Sequence, residues 1–369
     1  MITLGDIVRR YGSAYRARYG DRMLASHQAA LNALASCRTA ALGGHRYTCP
    51  NCATVRYSYH SCRHRHCPRC QHDAGQTWLE RQQELLLPVP YFLLTFTLPP
   101  ALRDLARSHQ RQLYTLLFQA SAAALMEVAH DPRFLGGQIG MLGVLQTWTR
   151  DLRFHPHIHY LVPAVGLAAN GRICRPPNPA FLVPVKAVAI LFRAKLRAAL
   201  RQSDLERQVE GATWRQAWVV DCRPVGSGAA ALKYLAPYIF RVAVSNNRIV
   251  SVQDDRVTFC YREGASKQLR RCTLPVLTFL GRFLQHVLPK GFVKVRYYGL
   301  FSHRQQALLV QVRQQLLVTE PQAASVRTAT PTQHLPAPAP VTRCPVCGQP
   351  MEHTVLVPAC SRGPPARKV

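Results

Sequence analysis

The chain has 369 residues, of which 48% are hydrophobic, enough for a sizeable core and too many for a disordered chain. Lys and Arg number 47 against 18 Asp and Glu, a formal net charge of +29. Charge of that size repels itself unless a polyanion answers it. Its spread over almost every segment favours nucleic acid over a membrane-surface patch, with a ribosome-like or merely basic protein as the bland alternative.

The opening residues turn polar and charged within a few positions, so no secretory signal is expected, and no apolar run reaches the roughly 18 residues of a membrane span. Thirteen cysteines in an unexported chain then read as metal ligands and buried thiols rather than disulfides. The expected location is the cytoplasm, at the nucleoid when bound to DNA.

In chain order, residues 1–36 read as helices, with Leu24, Leu31 and Leu34 at helical spacing. Two knuckles follow, Cys49-Pro-Asn-Cys52 and, after fourteen residues, Cys67-Pro-Arg-Cys70. A CxxC turn lets two thiolates grip one ion, and two such turns complete a tetrahedron, so these four are expected to form one structural zinc site. Cys37, His45, His60, Cys62, His64 and His66 stand close by in sequence, as neighbours of that site or as ligands of another ion. Arg46, Arg56, Arg63, Arg65 and Arg69 are set around the ribbon as a candidate DNA-docking surface, with Arg63, Arg65 and Arg69 as the chosen contacts.

Residues 76–87 read as a helix, 91–99 as a buried strand, 100–130 as a long amphipathic helical region and 140–149 as another strand. Next comes a strand carrying His157-Ile158-His159. Alternate side chains of a strand share a face, so the two imidazoles project together, about 7 Å apart along the strand, while Ile158 points into the core. Such a pair can chelate one divalent ion; surface histidines are the bland alternative. The short turn at 150–153 suggests antiparallel pairing of the two strands, which would put a side chain such as Gln146 beside the histidines, and His155, which shares their parity, could extend the row.

Helix is expected at 181–208 and strand at 214–223; Ser227 is a candidate N-cap for the helix that carries Tyr234 and Tyr238, with Lys233 and Arg241 as further candidate DNA contacts. Tyr234 and Tyr238, four apart, share a helix face, and Pro237 bends that helix. Short strands at 246–250 and 256–262, a helix at 273–288, a β-prone stretch at 293–298 and a helix at 305–317 complete the globular part. Residues 318–342, rich in Pro, Ala and Thr, read as a flexible linker. The tail at 343–369 carries Cys344, Cys347, His353 and Cys360, a candidate second zinc set.

A phenol with a pKa near 10 attacks a phosphodiester poorly unless a cation activates the phosphoryl group. With one, the product is a 5′-phosphotyrosine and a free 3′-OH, which keeps the bond energy for rejoining, and a second tyrosine holds a second DNA end.

These residues resemble the two-tyrosine rolling-circle transposases of the insertion sequence 91 type, within the His-hydrophobe-His single-strand endonucleases. The matching stretches, ALGGHRYTCPNC, YSYHSCRHRHCPRC, PVPYFLLTFTLP, LQTWTRDLRFHPHIHYLVP, KYLAPYIFRVAVSNNRI and HVLPKGFVKVRYYGL, occur in the family's order. The resemblance implies an α+β chain: a helical and zinc-ribbon-like part at 1–75, a nuclease domain with a central antiparallel sheet and flanking helices at 76–317, then the linker and tail. It implies structural zinc on Cys49, Cys52, Cys67 and Cys70, and Mg²⁺ or Mn²⁺ on His157 and His159 with a third ligand from a neighbouring element, Gln146 as first choice and His155 as second. It also implies Tyr234 and Tyr238 as nucleophiles, single-stranded DNA as substrate, and neither a membrane nor a small-molecule partner. A non-catalytic zinc-ribbon DNA binder and a plasmid-type replication initiator are the alternatives. With 18 acidic residues and none in a catalytic context, an acid-triad transposase is disfavoured.

Overall fold

The computed structural model describes residues 2–70, 78–80, 82, 83, 85–230, 232, 243–264, 266, 268–319 and 342–356. Its centre is an antiparallel sheet in the order β7-β6-β4-β5-β3-β8, with β12 also paired to β4. The strands are β3 (Pro90–Thr97), β4 (Gln138–Trp148), β5 (Phe154–Pro163), β6 (Gly166–Leu167), β7 (Ile173–Cys174), β8 (Val220–Ser227) and β12 (Val295–Gly299). Strands β3 and β5 are buried almost throughout, which explains their continuous apolar, aromatic and β-branched sequences.

Alternation divides the sheet's side chains between two cores. Phe96, Ile158, Tyr160 and Val162 meet α4 (Gln110–His130) and α5 (Val185–Gln202) on one face. The apolar stripe of α5 is Val188, Phe192, Leu196 and Leu200, and each such side chain contributes about 1.5–3 kcal/mol by leaving water. Gly143 makes room here for the Tyr160 ring, because a Cβ would lie 2.6 Å from it. On the opposite face Leu93, Val144 and Leu161 pack with α7 (Gln306–Thr319) and with Leu232.

A second core joins α1 (Leu4–Tyr19), α2 (Ala25–Ser36) and α6 (Val276–Leu284) to a three-stranded sheet of β9 (Ile249–Gln253), β10 (Arg256–Arg262) and β11 (Leu269–Pro275). Thr3 caps α1 in a capping box with Asp6, and Asn246 accepts the backbone N–H of Leu4 at 3.0 Å. The third unit is a ribbon, β13-β1-β2, made of β1 (Gly44–Thr48), β2 (Val55–Tyr59) and β13 (Glu352–Leu356).

Several expected boundaries move. The helical stretch at 100–130 breaks at His109 into α3 (Arg103–Ser108) and α4. The strand expected at 214–223 starts at Val220, after a 3₁₀ turn at Gly211–Trp214. The helix expected from 273 starts at Val276, because the preceding residues complete β11. Residues 343–356, expected as a separate tail, return to the N-terminal region, and β13 pairs with all five residues of β1. Residues 320–341, most of the expected linker, lie outside the described residues. Among the described residues no helix is long and apolar enough to cross a membrane.

Candidate active site and metal centres

The short β4–β5 connection does what antiparallel pairing requires: Gln146 stands directly opposite His157 in the register. His159 lies opposite Thr95 of β3. The rings of His157 and His159 are 4.8 Å apart centre to centre, and both residues are buried. The Nδ1–H of His157 donates to the carbonyl of His155 at 2.7 Å, and Nδ1 of His159 meets Thr95 Oγ1 at 2.9 Å. With Nδ1 so engaged, Nε2 is the ring nitrogen that would coordinate a cation. Burial pushes the His157 imidazole down to about 4 and His159 well below its ordinary range, so both are neutral at pH 7, the ligating form.

Gln146 Nε2 donates to the Trp148 carbonyl at 3.1 Å, while its Oε1 is buried with no hydrogen-bond partner among the described residues. A buried amide oxygen beside two imidazoles fits a divalent ion, since the ion would satisfy it. His155 is placed differently: its Nδ1 meets the Arg103 guanidinium at 2.8 Å, so a fixed positive charge already stands where a metal would approach.

Lys233, Tyr234, Tyr238 and Arg241 lie outside the described residues, but their flanks are well defined. Residues 228–230 are helical, and the Ala230 N–H reaches Ser227 Oγ at 3.5 Å, the expected N-cap. Leu232 is buried with Leu93, Val144 and Leu161, which alternate with Thr95, Gln146 and His159 on one sheet face. On the far side, Ala243 and Ser245 wall a groove of about 440 Å³ that opens on Gln146 and Trp148 and carries Arg150, Arg248 and Arg262. The described residues on either side of 233–242 are thus Leu232, packed on the histidine face, and Ala243, in the wall of a basic groove.

The thiols form two groups, and neither is the expected one. Cys37, Cys62, Cys67 and Cys70 come together, and so do Cys49, Cys52, Cys344 and Cys347. Joining the two N-terminal knuckles in one site was a misreading. Cys67 and Cys70 sit against the helical core beside Cys37, whereas Cys49 and Cys52 sit at the end of the ribbon that β13 completes. The second set changes too: Cys344 and Cys347 meet Cys49 and Cys52, His353 instead meets His45 (Nε2 to Nδ1, 2.7 Å), and Cys360 lies outside the described residues.

Sulfur–sulfur distances of 3.5–3.6 Å in the first group and 3.4–3.5 Å in the second exceed a disulfide bond of about 2.05 Å. They approach the edge of about 3.8 Å that a tetrahedron with Zn–S near 2.3 Å requires. Burial pushes the Cys37 thiol up, and its sulfur neighbour Cys62 does the same to Cys67; a divalent cation reverses both effects by neutralising the crowded thiolates. The backbone N–H of Cys347 holds the Cys344 thiol down to about 6.

Comparison with known proteins places this geometry. Residues 7–98 match the family model described as "Transposase zinc-binding domain", and residues 140–307 match one described as "Putative transposase". The chain is 37% identical to "Putative transposase y4qJ" of Sinorhizobium fredii over 390 aligned residues, covering 98% of this chain and 97% of the relative. The chain belongs to the insertion sequence 91 family of transposases. It is also 27% identical to the "Transposase for insertion sequence element IS801" of Pseudomonas savastanoi pv. phaseolicola, over 87% of this chain and 82% of that one. No solved structure matches.

The transposase's basic residues divide by use. Arg63 and Arg69 are exposed, as a DNA contact requires. Arg65 is half-buried and also serves the fold: Nη1 donates to the Phe292 carbonyl at 2.5 Å and Nη2 to the Pro289 carbonyl at 3.0 Å, which fastens the first thiol group to the loop before β12. His66 is buried and acts alongside, its Nε2 accepting the Leu288 N–H at 3.1 Å.

Sequence reasoning counted Arg56 among the basic residues around the ribbon but overlooked the tyrosines that share β2 with it. The rings of Tyr57 and Tyr59 stack at 5.8 Å and 9°, over a depression of about 400 Å³ lined also by Arg38, Tyr47 and Arg56. The available signal was the alternation in VRYSY, which sets two tyrosines on one face of a strand. Cys37, Cys62 and Thr95 were passed over as assigned ligands or supports because none belongs to a knuckle or a histidine motif.

Proposed function

We propose that this transposase nicks single-stranded DNA at the ends of its element through a 5′-phosphotyrosine intermediate and transfers that strand to a target, the rolling-circle mode. The observation that carries the reading is the buried corner formed by Gln146 Oε1 and the imidazoles of His157 and His159, whose Nδ1 atoms are already engaged. These three residues would hold a Mg²⁺ or Mn²⁺ ion, the imidazoles favouring Mn²⁺. Bound there, the ion supplies Lewis-acid polarisation of the phosphoryl oxygens.

The chain's own residues do the rest. Arg150, Arg248 and Arg262 line the groove beside Gln146 and supply positive charge for the flanking phosphates, while Tyr261, half-exposed, offers a ring to bases. Tyr234 or Tyr238 attacks phosphorus through its phenolic oxygen. The phenol proton is released, the bond from phosphorus to the 3′-oxygen breaks, and that oxygen leaves as a 3′-OH after taking up a proton. Attack of a 3′-OH on the phosphotyrosine reverses these steps and joins the strand elsewhere. The second tyrosine keeps a second end attached during the exchange.

The test is formation of a covalent adduct between the protein and labelled single-stranded terminus DNA in the presence of Mn²⁺. The expected outcome is an adduct in the wild type and none after Tyr234→Phe/Tyr238→Phe or His157→Ala/His159→Ala. An adduct undiminished by the double tyrosine change would remove the assignment.

A further inference from the structure

The match to the zinc-binding family model ends at residue 98, yet half of the second thiol group comes from Cys344 and Cys347. We propose that Cys49, Cys52, Cys344 and Cys347 form a second zinc site, separate from the one on Cys37, Cys62, Cys67 and Cys70, which pins the C-terminal segment to the ribbon as its third strand.

Two observations beyond the thiol distances support it. The first is that the two knuckles have matching backbones. The residue after the second cysteine has a positive φ in each, Ala53 at 54° and Gly348 at 74°. Its N–H turns back to the carbonyl of the first cysteine, Ala53 to Cys49 at 3.0 Å and Gly348 to Cys344 at 2.9 Å. The first cysteine's N–H closes each loop, onto Thr54 at 2.9 Å and onto Gln349 at 2.8 Å. Two such loops facing each other with their sulfurs interleaved (Cys49 to Cys347 at 3.4 Å, Cys52 to Cys344 at 3.5 Å) are the arrangement in which each knuckle contributes half of a tetrahedron.

The second observation concerns what else could hold this unit. Its buried core is Cys49, Cys344 and Met351, with Tyr47 and Cys347 partly buried against it, too little apolar surface to fasten a strand alone. Cys37 and Cys67, by contrast, belong to the large core of α1, α2 and α6. The second site therefore depends on its ion for structure, while the first is also held by packing. Thr342, just before the C-terminal knuckle, lines the depression beside Tyr57 and Tyr59, so the same ion also completes that surface.

The experiment is native mass spectrometry of the full chain prepared with zinc. Two zinc ions are expected in the wild type and one in Cys344→Ser/Cys347→Ser. One is also expected in Cys49→Ser/Cys52→Ser and in the variant combining all four changes, because a shared site can be lost only once. One zinc in the wild type, two in the C-terminal variant, or none in the combined variant would overturn the proposal. Hydrogen exchange gives a reading that does not depend on the variants folding: a chelator that removes one ion from the wild type should deprotect 352–356 and leave α1 and α6 protected. Protection at 352–356 that survives removal of that ion would also overturn it.

Discussion

At the scale of single residues, the histidine pair depends on neighbours that carry no charge. Thr95 is an ordinary β-branched residue in an apolar strand, yet its hydroxyl meets Nδ1 of His159 at 2.9 Å and holds the ring's orientation. Thr95→Val keeps the shape and removes the partner. The expected result is a 10–100-fold weaker affinity for Mn²⁺, measured by titration calorimetry, with zinc content unchanged. Unaltered Mn²⁺ affinity would mean that Thr95 merely packs. Gln146→His tests the third ligand from the other side: an imidazole in place of the amide should tighten Mn²⁺ binding, and no change would take Gln146 out of the ligand set.

At the scale of elements, the hairpin that carries Gln146 and His157 is fastened from outside the central sheet. His286, just beyond α6, meets Thr147 Oγ1 at 3.2 Å and the Leu152 carbonyl at 3.3 Å, and its ring stacks on Phe154. Burial holds its folded pKa at about 4, below the value near 6.5 of an unfolded imidazole. As pH falls, protons therefore bind the unfolded chain first. The stabilisation is complete above pH 6.5 and is lost between 6.5 and 4, about 3 kcal/mol for this group. His157 and His159 shift in the same direction, so denaturant unfolding without added Mn²⁺ should show stability falling steeply over that window. His286→Gln should be less stable at pH 7.5 and show a shallower fall; a slope equal to the wild type's would contradict the assignment.

What the sequence disclosed at this scale followed contact distance along the chain. The place of Gln146 beside the histidines was legible because a short connection makes neighbouring strands antiparallel, and the alternation around Ile158 assigned the faces; the exact register was not, since a bulge between Gln146 and Trp148 sets it. The thiol grouping was not legible. Knuckle spacing says that two cysteines share an ion and nothing about which other two complete it, and Cys49 finds Cys347 across 298 positions. The structural part of Arg65 was hidden for a related reason: its charge is visible in sequence, but the carbonyls of Pro289 and Phe292 that it also meets are not. The strand β11 was hidden because it is mostly exposed on a three-stranded sheet and its apolar residues, Leu269, Cys272 and Leu274, keep no regular alternation.

At the scale of the whole molecule, a charge of +29 must be answered by a polyanion, and the ribbon surface combines the two kinds of group that nucleic acid engages. Tyr57 is 51% exposed and stacked on Tyr59, with Arg38 and Arg56 exposed beside them and no acidic residue in the lining. Rings and guanidinium groups act differently on nucleic acid, and salt separates them. Stacking on a base is worth about 1–3 kcal/mol and depends little on ionic strength, whereas each phosphate neutralised adds about 0.7 to the logarithmic salt slope on a single strand. Anisotropy titrations with a labelled oligonucleotide at several salt concentrations should thus resolve two kinds of change. Tyr57→Ala should weaken binding about tenfold at every salt concentration without altering the slope, and Arg56→Ala should weaken it mostly at low salt and flatten the slope by about 0.7. If Tyr57→Ala binds like the wild type, the ring is not a base platform. If instead it flattens the slope, the tyrosine acts by positioning the neighbouring arginines, and the ribbon reads the backbone alone.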